Sequence, residues 1–237
     1  MALAVTGLTS GVDSDGGTSA TTASISPTGN ALVLCDVVKI DSDFSAPATP
    51  PVSGNGLTWV QVATLTHVNI GPNDLVRITR FRAMGASPSS GTVTISCGVN
   101  QSAIAYSIYE ITGVDTSGTN GSGAVVQTVT NDSADAAVGS LTVTLAAFGS
   151  ANNMAIGAFA YGGDTSDFAV GSGFTLIHEP SGAALFTEYK LNDTTVDASN
   201  STSQPLAGIA SEIKEPGGGG GGLSIPVAMA QYRQRWR

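Results

Sequence analysis

Thr92-Val93-Thr94-Ile95-Ser96-Cys97 is the stretch from which the rest of the chain can be read. Polar and apolar residues alternate, so Val93, Ile95 and Cys97 fall on one face. That period of two marks a half-buried antiparallel strand. Leu141-Thr142-Val143-Thr144-Leu145 repeats the pattern. Ala31 to Val38 and Met154 to Tyr161 are instead apolar on both faces, and read as central strands covered on both sides. Further strand patterns fall near 57–68, 74–83, 102–112, 123–130, 173–179, 183–191 and 205–213. They are punctuated by Ser53-Gly54-Asn55-Gly56, Gly71-Pro72-Asn73-Asp74, Ser87-Pro88-Ser89-Ser90-Gly91 and Gly162-Gly163-Asp164. Such clusters supply the positive or fixed φ that turns need. About ten short strands with regular turns predict an all-β protein, an antiparallel β-sandwich with a jelly roll as the leading form.

Composition agrees. Charged residues are 11% of the chain, well below the usual quarter or so, and there are 30 glycines among 237 residues. Few stretches combine the strong helix formers, so long helices are not expected. One internal echo stands out. Ala23-Ser24-Ile25-Ser26 followed by Gly29-Asn30-Ala31-Leu32-Val33-Leu34 resembles Leu141 to Leu145 followed by Asn152-Asn153-Met154-Ala155-Ile156-Gly157. With only two copies it reads as a hairpin used twice, since repeat architectures show several copies at a fixed period.

The segment after residue 216 differs from everything before it. Gly217, Gly218, Gly219, Gly220, Gly221 and Gly222 form a hinge with the largest backbone entropy to lose. Beyond it come Leu223, Ile225, Val227, Met229, Tyr232 and Trp236, with Arg233, Arg235 and Arg237. The expected organisation is one sandwich domain over 1–216, a glycine linker over 217–222 and an extended C-terminal arm over 223–237. At about 3.3 Å per residue the last two together reach roughly 70 Å. Net charge is −9, so the body without the three arm arginines carries −12. Opposite charges on body and arm suggest that the arm docks on a copy of the same protein or on a partner. An acidic body argues against broad nucleic-acid binding.

Arg77, Arg80 and Arg82 form a second basic cluster on a predicted strand. Two readings are open: charged residues on an exposed strand face, which discourage edge pairing, or a subunit interface, where arginine is enriched. Catalytic and metal signatures are thin. His67 and His178 are the only histidines, and neither has a second ligand at metal-binding spacing. No Gly-x-Ser-x-Gly elbow sits between a strand and a helix. Asp13-Ser14-Asp15 and Asp41-Ser42-Asp43 read as turns rather than calcium loops. The glycine run lacks the Lys-Ser/Thr ending of a phosphate loop. No cofactor, metal or enzymatic activity is therefore expected. Trp59 reads as core, and Tyr161, Phe168 and Phe174 are the aromatics able to gather into a sugar platform at one sandwich end. The first ten residues do not resemble a signal peptide, and no apolar run has membrane-spanning length. Synthesis in a cytoplasm is expected. It favours free thiols over a disulfide for Cys35 and Cys97.

Gly56-Leu57-Thr58-Trp59, Phe81-Arg82-Ala83-Met84-Gly85-Ala86, Tyr109-Glu110-Ile111-Thr112-Gly113-Val114-Asp115 and Ile209-Ala210-Ser211-Glu212-Ile213-Lys214 together span about 30 to 215. In these strings the chain resembles a family of phage and prophage-associated virion proteins with β-sandwich folds. The resemblance implies a non-enzymatic structural role on a virus particle, as a capsid decoration protein or a tail component, with no catalytic residues to carry over. It implies self-association, with trimers common, and contact with a capsid or tail protein. A carbohydrate or cell-surface binding module is the alternative.

Overall fold

The computed structural model describes residues 2–41, 51–68, 75–161, 168–180 and 185–216. Among them every regular element is a strand and none is a helix. The first eight strands are β1 (Ala4–Asp13), β2 (Ser19–Thr21), β3 (Leu32–Asp41), β4 (Val52–Gly54), β5 (Val60–Val68), β6 (Leu75–Ala83), β7 (Val93–Ser96) and β8 (Ala103–Thr112). The next eight are β9 (Val125–Asp132), β10 (Val138–Thr144), β11 (Met154–Ala160), β12 (Phe168–Ala169), β13 (Thr175–His178), β14 (Leu185–Leu191), β15 (Thr195–Gln204) and β16 (Ala207–Ile213).

The protein is an all-β antiparallel sandwich, and its strand order repeats. The first half has a five-stranded sheet, β1-β8-β3-β6-β5, and a three-stranded sheet, β2-β7-β4. The second half has β9-β16-β11-β14-β13 and β10-β15-β12. Adding eight to each strand number of the first half gives the second. The echo between residues 23–34 and 141–157 falls on this repeat only in its second part, where β3 and β11 are topological counterparts; residues 23–26 follow β2 and hold a single bridge, from Ile25 to Gly91. Where the alternation predicts a single sandwich of about ten strands, the described residues form sixteen strands in four layers.

The two five-stranded sheets lie back to back, each with a three-stranded sheet on its outer face. Val93, Ile95 and Cys97 point inward from β7 and its end, packing with Val33, Cys35, Val37 and Phe81; half-buried Trp59 lies against this cluster. Leu141, Val143 and Leu145 do the same in the second half, against Ala155 and Phe159. Between the five-stranded sheets, Leu32, Leu34, Tyr109 and Ile111 meet Met154, Ile156 and Ile213. Farther along, Val38, Val76 and Ile78 meet the small Ala158, Ala160 and Ala207. Strands β3 and β11 are covered on both sides, as their continuous apolar sequence requires. The packing between halves is close to two-fold: β1 lies against β13 as β5 lies against β9, and β8 against β14 as β6 against β16.

Turn chemistry follows the punctuation. In Ser53-Gly54-Asn55-Gly56 the last three residues have φ of 136°, 59° and 64°, the region glycine and asparagine tolerate. Gly71 to Asp74 and Gly162 to Asp164 lie outside the described residues. Gly157 serves packing instead, since a Cβ there would sit 2.6 Å from the Val196 side chain.

A buried carboxylate is repeated with the strands. Glu110 on β8 lies opposite Val33, the second residue of β3, and Glu212 on β16 lies opposite Ala155, the second residue of β11. Glu110 accepts bonds from the Thr28 N–H and Oγ1, both 2.7 Å, in the turn entering β3. Glu212 accepts from the side-chain amide of Asn153, just before β11, and from Gln127 at 2.7 Å. Each glutamate pins the approach to its half's central strand. Removing Glu212 leaves the buried Asn153 amide unsatisfied, at a cost of about 1–3 kcal/mol, whereas Thr28, the donor to Glu110, is exposed and can turn to water. Glu212→Ala should lower stability by that amount in urea titration, and Glu110→Ala should lower it by less.

Candidate functional site

The arginine cluster divides between environments. Arg77 and Arg82 on β6 are half-buried, and Arg77 donates from Nε to Thr66 Oγ1 at 2.7 Å. Arg80 is fully buried. Neither an exposed charged face nor a partner-binding surface describes it, because β6 pairs with β3 in a register that sets Arg80 directly opposite Asp36. Its Nε donates to Asp36 Oδ1 at 2.7 Å and its Nη2 to Oδ2 at 3.0 Å. Tyr109 Oη donates to the same Oδ2 at 2.6 Å. The remaining arm of the guanidinium crosses to the second half, where Nη1 donates to the Ile156 carbonyl at 3.1 Å and to Ser211 Oγ at 2.9 Å. Burial pulls the Arg80 pKa down, but Asp36 and Tyr109 outweigh it and the net direction is up. Burial pushes the Tyr109 phenol up as well. This network joins the halves and leaves no donor or acceptor directed at solvent. The one sequence signal for it was Asp36 itself, a lone charge inside an otherwise apolar run.

Both histidines also sit where the halves meet. His178 on β13 lies over Gly7 of β1, where a Cβ would come 2.5 Å from Nε2. Its Nδ1 is 2.9 Å from Ser107 Oγ, and Ser107 is 3.0 Å from Thr187 Oγ1. Ser107 is fully buried and bonds the His178 imidazole and the Thr187 hydroxyl, so these contacts tie β8 to β13 and β14. His67 on β5 is buried, with Asp132 and Asp135 of the second half nearby. Burial lowers the pKa of both histidines. Cys35 and Cys97 are buried free thiols in the first half. Among the described residues no three His, Cys, Asp or Glu side chains converge on a metal-sized space. Asp13 closes a turn, its Oδ1 accepting the Asp15 N–H at 3.1 Å; Ser42 and Asp43 lie outside the described residues.

The aromatics do gather, but inward. Tyr161 and Phe168 meet edge to face at 5.5 Å, and Phe168 lies 5.3 Å from Phe186. Tyr161, Phe168 and Phe174 are 4%, 7% and 7% exposed, so they form core and offer no platform. Beneath them Glu188 is fully buried, with Oε2 accepting the Gly171 N–H at 3.0 Å. Burial pushes its carboxyl up to about 8, helped by Asp197 and Asp193 and opposed by the Gly171 N–H.

What remains accessible is edge and surface. The outer edge of β1 is unpaired among the described residues, and β1 carries one charge, Asp13. The hinge and arm, 217–237, lie outside the described residues. The chain matches no family model, no curated protein and no solved structure.

Two predictions arise from the buried groups. Truncating one partner of a buried ion pair costs about 3–5 kcal/mol, whereas replacing the pair by apolar residues is often near neutral. Arg80→Met and Asp36→Leu should each be strongly destabilising by urea titration, and the double variant less so than either single. Glu188 holds its proton when folded but would lose it near the ordinary carboxylate range when unfolded. Its stabilisation is full below that range and is lost as pH rises toward 8. Glu188→Gln should melt above the wild type at pH 8, with the gap closing at pH 5.

Proposed function

We propose that this chain is a non-enzymatic structural protein of a virus particle, a capsid decoration protein that assembles through its β-sandwich body and the segment 217–237. The observation that carries this reading is how the body spends its polar groups. Arg80, Asp36, Tyr109, Glu110, Glu212 and the Ser107–His178 pair are bonded to other side chains or to backbone of the protein itself. The surface is left rich in small polar residues and acidic overall, opposite in sign to the arm.

The strand order supports a finer description of the body. In each half the order 1-8-3-6-5 beside 2-7-4 follows two interleaved Greek keys except that the fifth strand pairs with the sixth rather than the fourth, and we read each half as a variant jelly roll. An arm that reaches a neighbour gains from high effective concentration, so modest contacts suffice. A tail component would use the same body and arm, and position on the particle separates the two. The sugar-binding alternative is disfavoured by the inward packing of Tyr161, Phe168 and Phe174.

Analytical ultracentrifugation of the full chain and of a variant ending at Pro216 tests the proposal. The full chain should form oligomers, with a trimer the expected size. The truncated chain should keep its far-ultraviolet β signature and sediment as a monomer. Unfolding on truncation, or unchanged assembly, would overturn the reading.

A further inference from the structure

Strands β1 and β9 hold the same place in the repeat, at the edge of a five-stranded sheet, yet their edges differ. Strand β9 is bridged to β10 and the turn after it. Gln127 donates to the Ala146 carbonyl at 3.0 Å and accepts the Ala146 N–H at 2.9 Å. Asn131 donates to the Thr142 carbonyl at 2.8 Å. Among the described residues no such bridge crosses the edge of β1. That strand is ten residues long, Ala4 to Asp13, and its only charge is at its end. A long, uncharged, unpaired edge is a template for another strand. Asp13, half-buried, ends the strand and Asp15, exposed, stands just past it.

The arm has the matching pattern. Leu223, Ile225, Val227 and Met229 alternate with Ser224, Pro226, Ala228 and Ala230. That is strand periodicity with small residues on the second face. Pro226 has no N–H, so as a strand the arm must turn its even-numbered backbone groups away from the edge it pairs with. The odd-numbered residues keep every N–H for pairing. The arm can therefore pair on one side only, which caps an edge without offering a new one. Arg233 follows Leu223 by about the same distance as Asp13 follows Ala4. A parallel register that pairs Leu223 with Ala4 sets Arg233 and Arg235 at positions 14 and 16, next to Asp13 and Asp15.

We propose that residues 223–230 of one copy add as a parallel strand to the open edge of β1 in a neighbouring copy, with Arg233 and Arg235 next to Asp13 and Asp15. This rests on the assembly role proposed above. The mode is β-strand addition, in which backbone bonds give affinity and alternate side chains give register.

The test uses the full chain, with hydrogen exchange and sedimentation followed together. Amides of β1 should gain protection as concentration rises and oligomers form. Met229→Pro removes an inward N–H and should weaken association by at least about tenfold relative to Met229→Ala, whereas Ala228→Pro removes an outward one and should stay within about twofold of wild type. Equal effects of the two prolines, or β1 protection independent of concentration, would overturn the inference; the latter would mean the arm lies on its own β1. If truncation at Pro216 abolishes association while the parity and the β1 protection are absent, this acceptor is wrong and the assembly role stands. If truncation changes nothing, the assembly role itself fails.

Discussion

The contact between the two five-stranded sheets is what everything else in this protein leans on. Each half buries one face of its large sheet under its own three-stranded sheet. The other face is apolar too, through Leu32, Leu34 and Val38 in one half and Met154, Ile156 and Ala158 in the other. Neither half could leave that face in water. Sheets pack about 10 Å apart when their side chains interdigitate, and here the larger Val38 and Ile78 oppose the small Ala158 and Ala160. The shared interface explains why β11 carries no polar residue and why Asp36, the charge nearest the middle of β3, is bonded on both carboxylate oxygens.

Those polar groups fix which strands meet. Hydrophobic contact alone is non-directional, and two sheets could slide over one another with little loss. Arg80 reaches Asp36 and Tyr109 on its own side and Ser211 and the Ile156 carbonyl on the other. Ser107, Thr187 and His178 form a second polar junction between β8 and the opposing β13 and β14. A shifted packing would strand these buried groups without partners, which is costly. The glutamates at 110 and 212 act one level lower, holding the turn that delivers each central strand.

Much of this architecture could be read from residue order, and the rest was hidden for definite reasons. Alternation exposed β7 and β10, and continuous apolar runs exposed β3 and β11. Strand β15 escaped because its sequence, Thr-Val-Asp-Ala-Ser-Asn-Ser-Thr-Ser-Gln, looks like a loop; only Val196, Ala198 and Asn200 turn inward. Strand β1 escaped because glycines at 7 and 11 interrupt its pattern, and those positions are small since His178 and Tyr106 press against them. The repeat was nearly invisible because equivalent positions share shape rather than identity. Its best trace was the pair Tyr109-Glu110-Ile111 and Ser211-Glu212-Ile213. Arg80 was misplaced because charge on a strand suggests solvent, and its partner Asp36 is 44 residues away.

The repeat also shows what joining two like halves in one chain permits. Arg80 lies opposite Asp36, the fifth residue of β3, and its counterpart Thr187 lies opposite Ala158, the fifth residue of β11. In a symmetric pair of separate subunits every residue near the axis occurs twice. A buried guanidinium there would face its own copy, with two carboxylates to desolvate as well. Covalent linkage lifts that symmetry, so one half can carry the charge and the other a hydroxyl and a methyl. The tandem arrangement thus allows a single off-centre lock that an assembly of identical subunits would be forced to duplicate.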